Sequence, residues 1–208
     1  MRHVAPSTIR RLSLYLQFLA EAEREGKATV SSRALAERGG ATPAQVRKDL
    51  SFFGSFGKRG IGYPAVELGA RIREILGLER RYRVVIVGAG RIGAALANYP
   101  GFDQRGFDIV AIYDTDPAKV GRPLDGHTVR SVTLMEADFA AEPADIAVIG
   151  TPAGAAQEIA ERLVRLGVRA ILNFAPVALA VPRDVTVTNV NMALELEALT
   201  FALNRRRT

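Results

Sequence analysis

The sequence contains no cysteine and only two histidines, His3 and His127. The absence of cysteine excludes disulfides, thiol redox switches and cysteine-based zinc sites. With so few histidines, most metal centres and catalytic triads are excluded as well, and no metal is predicted. The chain also lacks the run of about 18 apolar residues that marks a membrane-spanning helix. It begins without the apolar core of a signal peptide, so a cytoplasmic protein with no membrane partner is expected.

The positive charge is confined to the first part of the chain. Residues 1–80 carry 14 Lys and Arg against 8 Asp and Glu, whereas residues 81–208 carry 14 of each sign. The whole net charge of +6 therefore belongs to the first 80 residues. A local positive field favours phosphate binding, but charge alone specifies no partner, and a merely soluble basic domain is the alternative.

Helical periodicity predicts a helix-turn-helix near the N-terminus. Apolar residues recur at helical spacing over 7–24, where Ser7 or Thr8 is a suitable N-cap, and a short helix follows at 32–38. A third helix is expected to start after Thr42, its N-cap. Two helices joined by a short turn are typical of a helix-turn-helix, whose second helix enters the major groove.

The third helix carries polar residues away from its apolar positions, Val46 and Leu50, which are predicted to face the core. Glutamine pairs with adenine and arginine with guanine in the major groove, while lysine and serine hold phosphates. The alternative is a solvated face made of good helix formers. The candidate DNA contacts on this helix are Thr42, Ala44, Gln45, Arg47, Lys48 and Ser51.

Residues 52–63 interleave four aromatic residues with glycines and two adjacent cations. We interpret this segment as a β-hairpin wing that carries Lys58 and Arg59 at its tip as further DNA contacts, with the aromatics packed beneath. Glycine lets the backbone approach a sugar-phosphate surface closely. A glycine-rich linker is the alternative, but linkers rarely contain four aromatics. With a connecting helix over 64–79, residues 1–79 are predicted to form a winged helix-turn-helix domain.

A dinucleotide-binding fingerprint follows a buried strand. Residues 84–87 are four consecutive apolar residues, typical of a parallel strand covered on both faces, and they lead into Gly88, Gly90 and Gly93. In this fingerprint the first glycine permits the tight turn, the second lets a pyrophosphate approach, and the third lets the next helix pack on the strand. The pyrophosphate is expected at the start of a helix over about 91–98.

The next predicted strand, 109–113, leads to Asp114, which lies 21 residues beyond Gly93. An acid at this place accepts a hydrogen bond from the ribose 2′-hydroxyl of the nucleotide. It also repels a 2′-phosphate, so NAD(H) is favoured over NADP(H). The alternative is a turn residue at the end of a strand.

Strands and helices alternate onwards, with strands over 145–150, 170–173 and 185–190 and a helix over 153–166. This order predicts a Rossmann-like, doubly wound parallel sheet in an α/β domain over 80–190, which binds its ligand outside the carboxyl ends of the strands. The candidate cofactor-binding residues are Gly88, Ala89, Gly90, Arg91, Ile92, Gly93, Tyr99, Asp114, Thr115, Thr151, Pro152, Asn173, Phe174, Ala175 and Pro176.

Residues 191–208 contain a final helix, predicted over 192–204, that is apolar over a wide arc. A helix of this kind must bury its apolar side chains against the chain's own core or against a partner subunit. We favour a dimerisation helix swapped between two subunits.

The residue inventory favours a sensor over an enzyme. A dehydrogenase needs a general acid or base and room for a substrate beside the nicotinamide. His127 has no obvious acid partner, and Tyr99 is the one candidate acid near the expected site, so no catalytic residue is predicted. A nucleotide- or CoA-binding regulatory module without DNA binding is a second alternative, but it leaves the localised charge and the wing unexplained.

Motifs along nearly the whole chain resemble the Rex family of redox-sensing transcriptional repressors. They comprise the segment Gln45–Gly57, the glycine fingerprint with Arg91 and Ile92, the segment Asn98–Phe102 and the segment Leu172–Pro176. The resemblance implies a homodimer that binds palindromic double-stranded operator DNA when NADH is scarce and releases it when NADH binds. NADH and NAD⁺ are the implied ligands, and a C-terminal helix swapped between subunits is implied as well.

Two positions depart from the family pattern. Gln17 stands where members often carry arginine, and Asn191 stands where they often carry aspartate. In the family these charges belong to inter-domain contacts that differ between the two states. An amide pair in their place removes an attraction of about 1 kcal/mol or less if exposed, which concerns the set point of the switch and not its existence.

Overall fold

The computed structural model describes residues 4–57 and 61–205. The chain divides into two compact units, Met1–Arg80 and Arg81–Thr208. Lys58 and Arg59, the predicted tip of the wing, lie outside the described residues. Among the helices of the described ranges, none is long and apolar enough to cross a bilayer.

The first unit is helical and encloses its own core. Apolar side chains from all its helices are fully or almost fully buried together, as the 3.6-residue periodicity predicts, and Val46 and Leu50 face inwards as expected. Its helices are α1 (Pro6–Arg24), α2 (Ser32–Gly39), α3 (Pro43–Ser51) and α4 (Ala65–Ile75).

The starts of the helices follow the predicted caps in one case and not in another. The Thr42 side chain accepts the backbone N–H of Gln45 at 3.1 Å, which confirms Thr42 as the N-cap of α3. The prediction of Ser7 or Thr8 as the cap of α1 is wrong, because α1 starts at Pro6 and its N-cap, Ala5, makes no side-chain cap. Proline suits the first helical position because its φ is fixed and its missing N–H would be unpaired there in any case.

The segment expected to form a hairpin pairs differently. Strand β2 (Tyr63–Pro64) pairs antiparallel with β1 (Thr29–Val30), which precedes α2. Residues 52–57 form no strand within the described part of the chain, so the pairing inside 52–63 is corrected to a pairing across the helix-turn-helix. Phe53 and Phe56 pack against the core of the unit and Tyr63 is buried, as the wing interpretation expected, but Phe52 is 41% exposed and departs from it.

The second unit is a seven-stranded sheet with helices between its strands. The strands lie in the order β5-β6-β4-β3-β7-β8-β9, and all neighbours pair parallel except β5 with β6. From β6 to β9 this is the Rossmann order 3-2-1-4-5-6, which confirms the predicted doubly wound sheet. The strands are β3 (Tyr82–Val87), β4 (Phe107–Asp114), β5 (Pro123–Leu124), β6 (His127–Ser131), β7 (Ile146–Ile149), β8 (Ala170–Asn173) and β9 (Thr186–Asn189).

Strand β3 is buried on both faces, which explains its unbroken apolar run. Val84 and Ile86 belong to one apolar cluster, while Val85 and Val87 belong to the cluster on the other side of the sheet. The winding direction of the chain reverses between β3 and β7, and a ligand crevice is expected at their carboxyl ends. The helices of this unit are α5 (Arg91–Ala97), α6 (Met135–Ala141), α7 (Ala153–Arg165) and α8 (Met192–Arg205).

Helix α8 leaves its large apolar side chains exposed, so the alternative that it completes the core of its own chain is wrong. Six of them are between 58% and 71% exposed. They are Met192, Leu194, Leu196, Leu199, Phe201 and Leu203.

Candidate functional site

The turn after β3 contains two glycines, Gly88 and Gly93, at which a side chain would clash with the backbone. Gly88 has φ +108°, and a Cβ there would lie 2.7 Å from the carbonyl oxygen of Gly150 at the end of β7. A Cβ on Gly93 would lie 1.9 Å from the carbonyl oxygen of Gly88, so α5 packs directly on the turn. These contacts confirm the tight turn and the close helix packing that the fingerprint predicts.

Gly90 stands apart from the other two glycines. It is the N-cap of α5, and a Cβ there would meet nothing within 4 Å. The missing side chain therefore leaves open space beside the first backbone N–H groups of α5, which have no partner within the helix. A side chain at Gly90 would fill this space, so its absence leaves room for a phosphate-bearing ligand.

Asp114 is a buried carboxylate that organises the glycine turn. It is 7% exposed, its Oδ2 accepts the backbone N–H of Ala89 at 2.7 Å, and its Oδ1 accepts the backbone N–H of Asp116 at 2.8 Å. Lys119 Nζ donates to Oδ2 at 3.0 Å. Burial raises the pKa of the Asp114 carboxyl, but these hydrogen bonds outweigh it and lower the pKa, so the group is ionised at neutral pH.

A crevice of about 610 Å³ runs along the carboxyl ends of β3, β4 and β7. Its volume lies in the range of about 300–1,000 Å³ that is usual for ligand sites. It brings together ten of the predicted cofactor-binding residues and also contains Asp116 and Lys119, which sequence reasoning missed. The predicted residues in its lining are Gly88, Gly90, Arg91, Ile92, Asp114, Thr115, Thr151, Pro152, Phe174 and Pro176.

Thr151 contributes a hydroxyl that the chain itself does not use. Its Oγ1 is buried and has no hydrogen-bond partner among the described residues. A buried polar atom without a partner costs about 1–3 kcal/mol, so such atoms mark places where a ligand or water completes the site. The hydroxyl lies in the crevice just after β7, at the carboxyl ends of the strands, where the nicotinamide half of a dinucleotide is expected.

The structure places five predicted residues outside the lining of the crevice. Tyr99 is 53% exposed and stacks edge-on against Phe102, beside a separate recess. Asn173 is fully buried, and its Nδ2 donates to the carbonyl oxygen of Val177 at 2.8 Å. The backbone N–H of Ala175 donates to Asn173 Oδ1 at 3.0 Å, so both shape the loop after β8. Ala89 and Gly93 shape the glycine turn as described above.

The outward face of α3 forms the candidate nucleic-acid interface. Ala44, Arg47, Lys48 and Ser51 are exposed, as predicted, whereas Gln45 is half-buried because its side-chain amide bonds Asp49. Arg47 Nη1 donates to Ser32 Oγ at 3.1 Å, so its guanidinium is oriented by α2 without being buried. Of these residues, Arg47 and Ser51 border a recess of about 830 Å³ that also contains Ser55, Gly57 and Tyr63.

Asp49 is the functional candidate on α3 that the sequence pattern did not single out. It is 3% exposed and accepts two hydrogen bonds from the Arg11 guanidinium of α1, at 2.6 and 2.7 Å. Tyr15 Oη donates to Asp49 Oδ2 at 3.1 Å, and Gln45 Nε2 donates to Oδ1 at 2.8 Å. Burial raises the pKa of Asp49, but the bonds from Arg11 and Gln45 outweigh it and lower the pKa. Asp49 therefore fixes α3 to α1 and holds Gln45 in one orientation.

Within the described residues no cluster of three or more histidine, cysteine, aspartate or glutamate side chains is arranged to hold a metal ion.

The comparisons with known proteins match both units. Residues 3–51 match a family model described as a putative DNA-binding protein N-terminus, and residues 79–177 match one described as a CoA binding domain. The chain is 47% identical over 204 residues to the redox-sensing transcriptional repressor Rex of Desulfitobacterium hafniense, covering 98% of this chain and 97% of that protein. It is 45% identical to the Rex protein of Syntrophomonas wolfei, covering 98% of each chain.

Solved structures also match the whole chain. The crystal structure of RSP in complex with β-NAD⁺ and operator DNA matches with a TM-score of 0.91 and 38% identity, covering 100% of this chain and 95% of that one. The crystal structure of RSP in complex with β-NADH matches with a TM-score of 0.88 and 37% identity, covering 100% and 97%.

Proposed function

This chain belongs to the Rex family of redox-sensing transcriptional repressors, and on that basis we propose that it represses transcription by binding a palindromic DNA operator and is released from it by NADH. The observation that carries the proposal is the joint presence, in one chain, of an exposed helix-turn-helix face and a crevice fit for a dinucleotide. A repressor acts where operator DNA and the NAD(H) pool meet, so we place it in the cytoplasm.

The crevice residues fit NAD(H). The open side of Gly90 and the first N–H groups of α5 suit the pyrophosphate, and Asp114 suits the adenosine ribose. The unpaired Thr151 hydroxyl suits the nicotinamide half. When bound, NADH or NAD⁺ supplies the redox signal. The protein's own residues respond only to whether the bound nucleotide is NADH or NAD⁺.

We propose a binding role without hydride transfer. A dehydrogenase needs a positioned acid or base beside the nicotinamide. Of the candidates, Tyr99 lies in a separate recess and His127 starts strand β6 at the border of that same recess. The residues at the nicotinamide end, among them Thr151 and Phe174, offer no group of this kind.

Regulation follows from thermodynamic linkage between the two ligands. If NADH binds more tightly to a conformation that does not fit the operator, DNA must weaken NADH binding by the same factor. A coupling of about 1–3 kcal/mol corresponds to about 5- to 150-fold. NAD⁺ must discriminate less between the two conformations, since otherwise the protein would report total nucleotide.

The experiment that tests this function is a titration of the protein bound to a labelled palindromic operator selected from random DNA. NADH, NAD⁺ and CoA are added in turn at fixed salt, and the anisotropy of the DNA is followed. Release by NADH with little response to NAD⁺ or CoA is the expected result. Specific DNA binding that ignores all three ligands would contradict the redox role, and the absence of any selected sequence would contradict the repressor.

We expect Asp114→Ala to weaken NADH binding by about tenfold or more while operator binding by the free protein persists. The substitution removes the acceptor for the ribose, one anchor of the glycine turn at Ala89 and one at the end of β4, a loss of about 1.5–3 kcal/mol for bonds to a charged group. Calorimetry with NADH and anisotropy with the operator measure the two effects. Unchanged NADH affinity would overturn the ribose assignment.

We also propose that α8 joins two subunits into the homodimer. Its exposed apolar side chains, among them Leu196 and Leu199, suit a partner surface, since burial of each contributes about 1.5–3 kcal/mol. The double substitution Leu196→Glu with Leu199→Glu is expected to convert the dimer into a monomer in analytical ultracentrifugation. Glu197→Gln on the same helix is the control and should leave the dimer intact. A monomeric unaltered protein would contradict the proposal.

A further inference from the structure

Lys119 lies in the crevice at the place assigned to the adenosine ribose. It follows β4 by five residues, and its Nζ contacts Asp114 Oδ2 at 3.0 Å and lies 3.7 Å from Asp116 Oδ2. The sequence pattern of the fingerprint specifies the glycines and the acidic residue, and it specifies no lysine at this position. The carboxylate assigned to the ribose is therefore already paired with a positive charge from its own chain.

The hydrogen bonds of Asp114 show which of its partners a ribose hydroxyl can displace. Its two oxygens provide about four acceptor positions. Two are taken by the backbone N–H groups of Ala89 and Asp116, which the turn and the end of β4 hold in place, and one is taken by Lys119. The Lys119 side chain is 40% exposed, and a lysine has a long rotatable stem, so it is the partner that a ribose hydroxyl can replace.

The same contact changes how the crevice treats a 2′-phosphate. An unpaired buried carboxylate repels a phosphate at the ribose, which is the usual basis of discrimination against NADP(H). Here an ammonium lies within 3.0 Å of that carboxylate and 3.7 Å of the neighbouring Asp116 carboxylate. A phosphate beside Asp114 meets this positive charge as well as the two carboxylates, so attraction to Lys119 offsets part of their repulsion.

We propose that Lys119 determines coenzyme selectivity in this crevice, by competing with the ribose hydroxyls for Asp114 and by attracting a 2′-phosphate. The inference rests on the proposed function, because it concerns the same nucleotide site. In this arrangement Lys119 weakens NAD(H) binding and narrows the difference between NAD(H) and NADP(H).

The test compares dissociation constants for NADH and NADPH in the unaltered protein and in Lys119→Met, measured by calorimetry on the full chain. Methionine keeps most of the length and apolar stem of lysine without its charge. We expect NADH to bind about threefold more tightly, as a partly exposed ion pair allows, and NADPH to bind about tenfold more weakly. The selectivity for NADH should thus rise about 30-fold.

Two further variants serve as controls. Lys119→Arg keeps the positive charge and should keep NADPH affinity within about threefold of the unaltered protein. Arg122→Met removes a positive charge from the exposed loop three residues further on and should leave the NADH to NADPH ratio unchanged. Operator binding by each variant, measured without nucleotide, reports whether the chain remains folded.

The outcomes separate this inference from the proposed function. If the unaltered protein binds NADH and Lys119→Met leaves the NADH to NADPH ratio unchanged, the role of Lys119 is overturned and the repressor function stands. If Lys119→Met weakens both nucleotides equally, Lys119 only positions Asp114, and the selectivity role is again overturned. If the unaltered protein binds neither nucleotide, the proposed function itself fails.

Discussion

We expect Arg47→Ala to remove operator binding while the affinity for NADH stays close to that of the unaltered protein. Arg47 is exposed on α3, and its guanidinium is oriented by Ser32 Oγ at 3.1 Å. A guanidinium held in this way is suited to a bidentate contact with guanine in the major groove. Arg47 belongs to the unit Met1–Arg80, whereas the crevice belongs to the other unit, so nucleotide binding does not depend on it.

The expected loss is large because the proposed homodimer would present Arg47 twice. One bidentate arginine–guanine contact is worth about 1–3 kcal/mol, so two correspond to between about 30-fold and about 10⁴-fold in affinity. Anisotropy with labelled operator at fixed salt measures the loss, and calorimetry with NADH measures the second affinity. Loss of both affinities would contradict the assignment of operator binding to the first unit and of NADH binding to the second.

A matched control distinguishes base reading from a general loss of charge. Arg73→Ala removes the same charge from the exposed side of α4, outside the helix-turn-helix, and should change operator affinity little. Binding to a scrambled DNA of equal length should fall much less than operator binding in Arg47→Ala, because non-specific binding depends on phosphates. An equal loss on both DNAs would make Arg47 a phosphate contact.

Local patterns predicted the parts of the site that a few neighbouring residues determine. The turn at Gly88 and Gly93 depends on backbone conformation and close packing within six residues, and the Thr42 cap depends on one hydrogen bond to Gln45. Strand β8 was predicted at Ala170–Asn173, where the structure has it, because a short apolar run is bounded clearly at both ends. In each of these cases the residues that cause the structure are close neighbours in the sequence.

Pairings between distant segments escaped prediction. Thr29 pairs with Pro64 because the helix-turn-helix brings the two segments together. No local pattern in either segment predicts this pairing. Asp49 and Lys119 were missed for a related reason, since a charged residue in a helix or a loop usually lies in solvent. Their importance comes from partners on other elements: Arg11 for Asp49 and the end of β4 for Lys119.

We expect Asp49→Ala to destabilise the first unit by about 3–5 kcal/mol, because it leaves the Arg11 guanidinium, which is 20% exposed, without its partner. The Tyr15 hydroxyl, whose pKa is raised to about 12 by burial and by the nearby Asp49 charge, also loses its acceptor. Operator affinity should fall as well, because Asp49 fixes α3 to α1. Urea denaturation with hydrogen exchange on the full chain measures the effect separately for each unit.

Two variants identify the cause of this loss. Arg11→Met combined with Asp49→Leu removes both charges and should recover much of the lost stability, since apolar replacement of a buried pair is often neutral. Asp108→Ala removes an exposed carboxylate paired with Arg81 in the second unit and should leave the first unit unaffected. A double variant as unstable as Asp49→Ala would show that the shape of the Asp49 side chain matters more than its charge.

The pH dependence gives an independent check on the charge. The folded chain lowers the pKa of Asp49, so the unfolded chain binds more protons as the pH falls. The stability that Asp49 contributes is therefore fully present above its ordinary value of 3.8 and is lost as the pH falls below that value towards the lower folded-state pKa. The difference in stability between the unaltered protein and Asp49→Ala should shrink over that range. A difference that stays constant with pH would contradict an ionised Asp49 as the link between α1 and α3.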